Sequence, residues 1–76
     1  MYVYDYKVPD AVIYACIAEM RGRVFRAYEI DRAARKAGAP VTLHGQYISY
    51  RIADRIIQQE RKAGNIRRTG RAWVET

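Results

Sequence analysis

The fold is decided near the end of the chain by residues 51–75, RIADRIIQQERKAGNIRRTGRAWVE. Ile52 and Ile56, together with Ile48 just upstream, recur every four residues, which is the spacing of the buried stripe of a helix. Gly64 then breaks this pattern, and Ile66-Arg67-Arg68 and Ala72-Trp73-Val74 follow on either side of a Thr-Gly pair. The stretch therefore predicts a long helix followed directly by a β-hairpin with a tight turn.

Proline and glycine divide the rest of the chain into short units. We predict a first helix over residues 9–21, a β-prone piece at residues 23–26, and a second helix from about Tyr28 to Ala37. The third helix starts between Thr42 and Tyr47 and ends near Ala63, and the hairpin covers residues 66–74. Residues 1–8 alternate tyrosines with other residues, which is typical of a short edge strand, although a mobile arm is the alternative.

A chain of 76 residues allows one domain, so the apolar stripes of the three helices must share one core. The residues expected to form this core are Ile13, Ile17, Phe25, Ile30, Ala34, Ile48, Ile52, Ile56, Ile66 and Trp73. Cys16 lies at helical spacing with Ile13 and Met20, so we expect it to pack in the core rather than to react. The predicted class is mostly α with a small β-hairpin, an α+β fold.

Residues 51–75 resemble the end of a winged helix-turn-helix domain, in which a glycine ends the third helix and an aliphatic residue, basic residues and the two strands of the wing follow. Residues 25–38, FRAYEIDRAARKAG, resemble the strand and second helix of the same fold. The resemblance covers roughly residues 9–75 and implies a winged-helix domain over residues 9–76. Residues 1–8 lie outside it as an N-terminal strand or arm.

The outward face of the third helix is the first candidate site. With the isoleucines inward, the helix turns Tyr47, Tyr50, Arg51, Asp54, Gln58 and Arg61 outward, with Arg55 and Lys62 on the flank. The resemblance implies that the start of this helix enters the major groove of DNA. The candidate contact residues are then Gln46, Tyr47, Ser49, Tyr50, Arg51 and Arg55. Arg51 can bind guanine through two hydrogen bonds and Gln46 can bind adenine. The alternative is an ordinary solvated helix face.

The predicted hairpin is the second candidate site. Arg67, Arg68 and Arg71 surround its turn, and as a wing they would contact backbone phosphates or the minor groove. The alternative is that they only protect an exposed strand edge from pairing with other chains. Arg21, Arg23 and Arg26, after the first helix, are either further phosphate contacts or a solvated loop.

Charge indicates the kind of partner. Fourteen Lys and Arg against eight Asp and Glu give a net charge of +6, and eleven of the basic residues are arginine. Arginine matches phosphate and guanine geometry, which favours double-stranded DNA as the partner. Because one small domain makes a small interface, we expect a homodimer or cooperative binding, with the N-terminal strand as one means of pairing.

Several kinds of chemistry are missing from the sequence. A single histidine and a single cysteine provide neither a metal site nor a catalytic pair, and no glycine-rich phosphate loop is present. We therefore predict no enzyme activity, no metal and no cofactor. Without a signal peptide, a membrane-spanning run or paired cysteines, the expected location is cytoplasmic with no membrane contact.

Two other functions remain open at this point. The first is a protein–protein inhibitor or adaptor on a winged-helix scaffold that binds an acidic protein or a nucleoprotein, as small phage-encoded proteins of the anti-CRISPR kind do. Tyrosine and arginine also dominate protein–protein interfaces, so composition does not separate this function from DNA binding. The second is RNA or single-strand binding through stacking on Tyr47 or Tyr50.

Overall fold

Helices and short strands alternate along the chain in the computed structural model, which describes residues 1–76. The helices are α1 (Asp10–Met20), α2 (Ala27–Lys36) and α3 (Ile48–Lys62). Six strands form three antiparallel pairs: β1 (Tyr2–Val3) with β2 (Tyr6–Lys7), β3 (Thr42–Leu43) with β4 (Gln46–Tyr47), and β5 (Ile66–Thr69) with β6 (Ala72–Glu75). We call these pairs the N-terminal, middle and C-terminal hairpins. The predicted α+β class is confirmed.

One hydrophobic core joins these elements. Fifteen buried residues form a single cluster, and α2 packs extensively against both α1 and α3. Seven residues of the predicted core are buried: Phe25, Ile30, Ala34, Ile48, Ile52, Ile56 and Ile66. The other three, Ile13, Ile17 and Trp73, are only half-buried at its edge. These three residues were predicted to lie in the core, and they pack against its edge instead.

Helix α1 buries a face shifted by one position from the predicted one. Val12, Cys16 and Met20 are its buried residues, whereas the prediction relied on Ile13 and Ile17. Residues 11–18, AVIYACIA, are uncharged and mostly apolar on every side. Their periodicity therefore does not define one buried face, and packing against α2 decides it.

Helix α3 ends where the sequence predicted. The Gly64 N–H donates to the Arg61 carbonyl at 3.1 Å, and the Asn65 N–H donates to the Glu60 carbonyl at 3.0 Å. This pair of bonds is a Schellman motif, which needs a left-handed residue after the helix, and Gly64 has φ +81°. Helix α2 ends with the same bonding pattern at Gly38.

The C-terminal hairpin is tied to the segment between α1 and α2. The Phe25 N–H donates to the Trp73 carbonyl at 2.9 Å, and the Trp73 N–H donates back to Phe25 at 2.8 Å. Phe25 is fully buried, and Ile66, at the start of β5, also lies in the core. The hairpin is therefore fixed to the helical core at two points.

Residues 1–8 form a hairpin rather than the single strand or arm that the sequence suggested. Val3 pairs with Tyr6, and the two-residue turn between them places Tyr4 at φ +53°, a left-handed conformation that is uncommon for a large side chain. Val3 and Val8 are buried in the common core. Alternating residues fit one strand or two folded strands equally well, so the pattern alone did not reveal the turn.

The middle hairpin was not predicted at all. Its turn consists of His44 and Gly45, both with positive φ (52° and 79°), as a type I′ turn requires. Each of its strands has two residues, which is too short to produce a periodic signal. The connection between α2 and α3 is thus a folded element that leads directly into α3.

Candidate functional site

The exposed face of α3 presents aromatic and basic side chains. Tyr47 is 69% exposed and Tyr50 is 55% exposed, and Arg51 and Arg55 are exposed beside them. We call these four residues the Tyr–Arg face. Tyr47 ends β4, directly before the helix. The other three are exposed because the helix turns 100° per residue and its isoleucines, on the opposite side, fill the core. Gln46 is exposed at the end of the middle hairpin.

Ser49 does not belong to this face. Its relative exposure is 1%, so the structure corrects the prediction that it contacts a partner. The buried arc of α3 is wide and includes Ala53 and Ile57 as well as the isoleucine stripe, because α1, α2 and several strands pack around this helix. A serine one position after Ile48 therefore falls inside the arc.

The backbone at the start of α3 is already occupied. The Ile48 N–H donates to the Val41 carbonyl at 2.9 Å, and the Ser49 N–H donates to the Pro40 carbonyl at 3.1 Å. These two N–H groups would otherwise be free to bind an anion at a helix N-terminus. These two groups are therefore not available to bind an anion at the start of α3.

The N-terminal hairpin holds both arginines of the Tyr–Arg face. The Arg51 Nη2 donates to the Tyr4 hydroxyl at 3.3 Å, and its Cζ lies 5.9 Å from the centre of the Tyr4 ring. The Arg55 Nη1 donates to the Tyr2 carbonyl at 3.4 Å. Tyr2 and Tyr4 were not predicted as site residues, because no spacing in the sequence relates them to residues about fifty positions later.

The arginines of the C-terminal hairpin point in different directions. Arg68 pairs across the strands with Trp73, and its Cζ lies 5.5 Å from the centre of the indole ring. Arg67 precedes it in the strand and therefore lies on the opposite face, paired with Val74. Arg71 is exposed in the turn. The three arginines therefore do not form the expected cluster. Arg67 and Arg68 lie on opposite faces of the hairpin, and Arg71 lies at its tip.

Ion pairs occur away from these residues. Arg23 contacts the Glu19 carboxylate at 2.6 Å and also pairs with Glu29, so its charge is balanced by the protein's own carboxylates. Arg35 lies 3.5 Å from Asp31. Within the Tyr–Arg face and the C-terminal hairpin, no arginine has a carboxylate within 4.0 Å.

Cys16 is a buried thiol with no access to solvent. Its Sγ donates to the Ile30 carbonyl at 3.8 Å. Burial, together with a smaller contribution from the nearby Asp31 carboxylate, raises the pKa of the Cys16 thiol to about 11. At neutral pH the sulfur is therefore a protonated core group rather than a nucleophile.

The surface has no detectable pocket, and no three His, Cys, Asp or Glu side chains are grouped so as to hold a metal. None of the helices combines the length and apolar character needed to cross a membrane. Comparison of the chain with known protein families, with curated proteins and with solved structures finds no match.

Proposed function

We propose that the protein binds double-stranded DNA as a winged-helix domain and acts as a small regulator of transcription. One observation carries the proposal: the Tyr–Arg face is exposed, and neither Arg51 nor Arg55 forms an ion pair with the protein's own carboxylates. An unpaired basic helix face followed by a basic hairpin is the electrostatic footprint of nucleic-acid binding.

The order of elements supports the winged-helix part of the proposal. The segment between α1 and α2 forms a single β-bridge at Phe25 with Trp73, and the C-terminal hairpin follows α3 directly. The order of three helices followed by a hairpin supports the resemblance. In the proposed complex, α3 enters the major groove and the C-terminal hairpin contacts the backbone or minor groove.

Each side chain then has a defined role. Arg51 donates two hydrogen bonds to guanine, and the exposed amide of Gln46 reads adenine. Tyr47 and Tyr50 donate to phosphates or contact a thymine methyl group. Arg55, Arg67, Arg68 and Arg71 neutralise phosphates, which fixes the register but carries no sequence information. A single domain of this kind buries roughly 600–1,000 Å², so we propose that a homodimer binds the full site.

Selection from a pool of random 30-base-pair duplexes, followed by binding measurements on the selected sequence, tests the proposal. Arg51→Ala should cost about 1–3 kcal/mol on that sequence and relax the preference at one base pair. Arg68→Ala should weaken binding to selected and random duplexes equally. Arg32→Ala, which removes an exposed charge from α2, is the matched control. If no sequence is enriched and both variants bind duplex DNA like the wild type, the proposal is wrong.

A second candidate function is binding of an acidic protein or nucleoprotein, as an inhibitor or adaptor. Four exposed tyrosines on or beside the Tyr–Arg face favour it, because tyrosine and arginine carry most of the energy in protein interfaces. Affinity capture separates the two functions. Stoichiometric retention of one protein from a host lysate, with no DNA retained, would favour this second function over DNA binding.

A further inference from the structure

We propose that the N-terminal hairpin is part of the recognition surface and that Tyr4 is a positioning residue for Arg51. The inference rests on the proposed function and extends it, because residues 1–8 lie outside the winged-helix resemblance. The DNA contacts proposed above for α3 and the C-terminal hairpin give the N-terminal hairpin no role.

The first observation is the double contact between the two side chains. Tyr4 both accepts a hydrogen bond from Arg51 (3.3 Å) and places its ring 5.9 Å from the guanidinium carbon. A free arginine side chain loses considerable rotamer entropy when it binds a base. A guanidinium that is already held against an aromatic ring has lost part of that freedom before binding, so the entropy cost of ordering it on binding is smaller.

The second observation is the backbone of Tyr4. Its φ of +53° disfavours any residue with a Cβ, and glycine is the usual residue at such a position in a two-residue hairpin turn. The Tyr4 side chain is also 50% exposed, so it gives little core packing in return. Backbone strain at an exposed side chain is characteristic of functional sites.

The third observation is that the rest of the hairpin is firmly anchored. Val3 and Val8 are fully buried, the Val8 N–H donates to the Met1 carbonyl at 2.9 Å, and Arg55 donates to the Tyr2 carbonyl. The hairpin is therefore a fixed support beside α3. Tyr4 reaches Arg51 from this support, and Arg51 remains exposed to solvent.

The variant Tyr4→Gly separates positioning from stability. Glycine suits the left-handed turn, so we expect the thermal midpoint to remain at or above that of the wild type. Affinity for a fluorescein-labelled 30-base-pair duplex carrying the selected sequence should nevertheless fall about two- to fivefold, as expected for loss of an exposed cation–π contact. Tyr4→Phe keeps the ring and should lose less. Tyr14→Ala, which removes an exposed tyrosine from α1, is the control and should bind normally.

A double-mutant cycle then shows whether Tyr4 acts through Arg51. In the Arg51→Ala background, Tyr4→Gly should have no further effect on affinity. In parallel, the Arg51 Nε–H signal in a nitrogen-15 NMR spectrum of the free protein should move toward the position of a mobile arginine when Tyr4 is changed to glycine.

The possible outcomes are distinct. If Tyr4→Gly binds as tightly as the wild type, or weakens binding equally in both backgrounds, the inference is wrong while DNA binding stands. An unchanged Arg51 signal in Tyr4→Gly also overturns it, without reference to any ligand. If the wild type binds no duplex at all, the proposed function fails, and the role assigned to Tyr4 fails with it.

Discussion

Individual residues of the Tyr–Arg face differ in how they are held. Arg51 is bound by a tyrosine ring and hydroxyl, Arg55 by a backbone carbonyl, and Tyr47 and Tyr50 extend into solvent. In the C-terminal hairpin, Arg68 rests on Trp73. Arg51 and Arg68 thus each lie against an aromatic ring of the protein itself. Contacts of this kind reduce the entropy cost of binding.

Cys16 gives a prediction about pH. Its pKa is about 11 in the folded chain against 9.0 in the unfolded one, so the folded state holds the proton more tightly. The stabilisation is fully present below pH 9 and is lost as pH rises through 11. A shift of this size corresponds to roughly 2–3 kcal/mol. Urea unfolding at pH 8 and pH 11 should therefore show a larger loss of stability for the wild type than for Cys16→Ala.

Other groups ionise in the same pH range, but they do so in both proteins. The difference between the stability losses of the wild type and Cys16→Ala therefore reports on the thiol alone. Equal losses for the wild type and Cys16→Ala would contradict the prediction. A native thiol that reacts with iodoacetamide at pH 8 as fast as the unfolded chain would contradict it as well.

At this scale the sequence predicted part of the site. The 100° turn of a helix was enough to predict that Tyr47, Tyr50 and Arg51 face outward. It was not enough to exclude Ser49, because the width of the buried arc depends on how many elements pack around α3. Contact between Arg51 and Tyr4 joins residues 47 positions apart and has no local signal.

Among the secondary-structure elements, the helix ends and the turns determine which side chains meet. Gly64 closes α3 and directs the chain into β5, so the C-terminal hairpin begins close to the helix. The middle hairpin sets the start of α3 through the Val41 and Pro40 carbonyls. Short connections of this kind fix the Tyr–Arg face relative to the core.

The cap at Gly64 is testable on its own. A Cβ at this position meets no atom within 4 Å, so the only cost of a substitution is the backbone conformation at φ +81°. Gly64→Ala should lose about 1–2 kcal/mol, which lowers the thermal midpoint by several degrees in a chain of this size. Asparagine tolerates positive φ better, so Gly64→Asn should lose less. A thermal midpoint of Gly64→Ala equal to that of the wild type would show that the cap does not control stability.

The sequence predicted the long elements better than the short ones. Helices α2 and α3 have clear apolar stripes and glycine ends, so α2 and the end of α3 were placed within one residue, whereas the start of α3 was left open between Thr42 and Tyr47 and lies at Ile48. The N-terminal and middle hairpins have strands of two residues, so no periodicity marks them. Helix α1 was found, but its face was shifted because its residues are apolar on every side.

The whole molecule has one hydrophobic core and an uneven distribution of charge. Several carboxylates are used in local contacts: Glu19, Glu29 and Asp31 pair with arginines, and Glu75 accepts from the Gly22 N–H at 3.0 Å. The arginines of the Tyr–Arg face and of the C-terminal hairpin have no such partners. The net charge of +6 therefore includes a basic surface that is available to an external polyanion.

Salt dependence of duplex binding is the most direct measurement of this claim. If Arg51, Arg55, Arg67, Arg68 and Arg71 each neutralise one phosphate, a plot of log affinity against log salt concentration has a slope of roughly −4.5. The dissociation constant of a labelled 30-base-pair duplex can be measured by fluorescence anisotropy at salt concentrations from about 50 to about 200 mM. We predict a steep negative slope near that value, and a slope near zero would contradict the account.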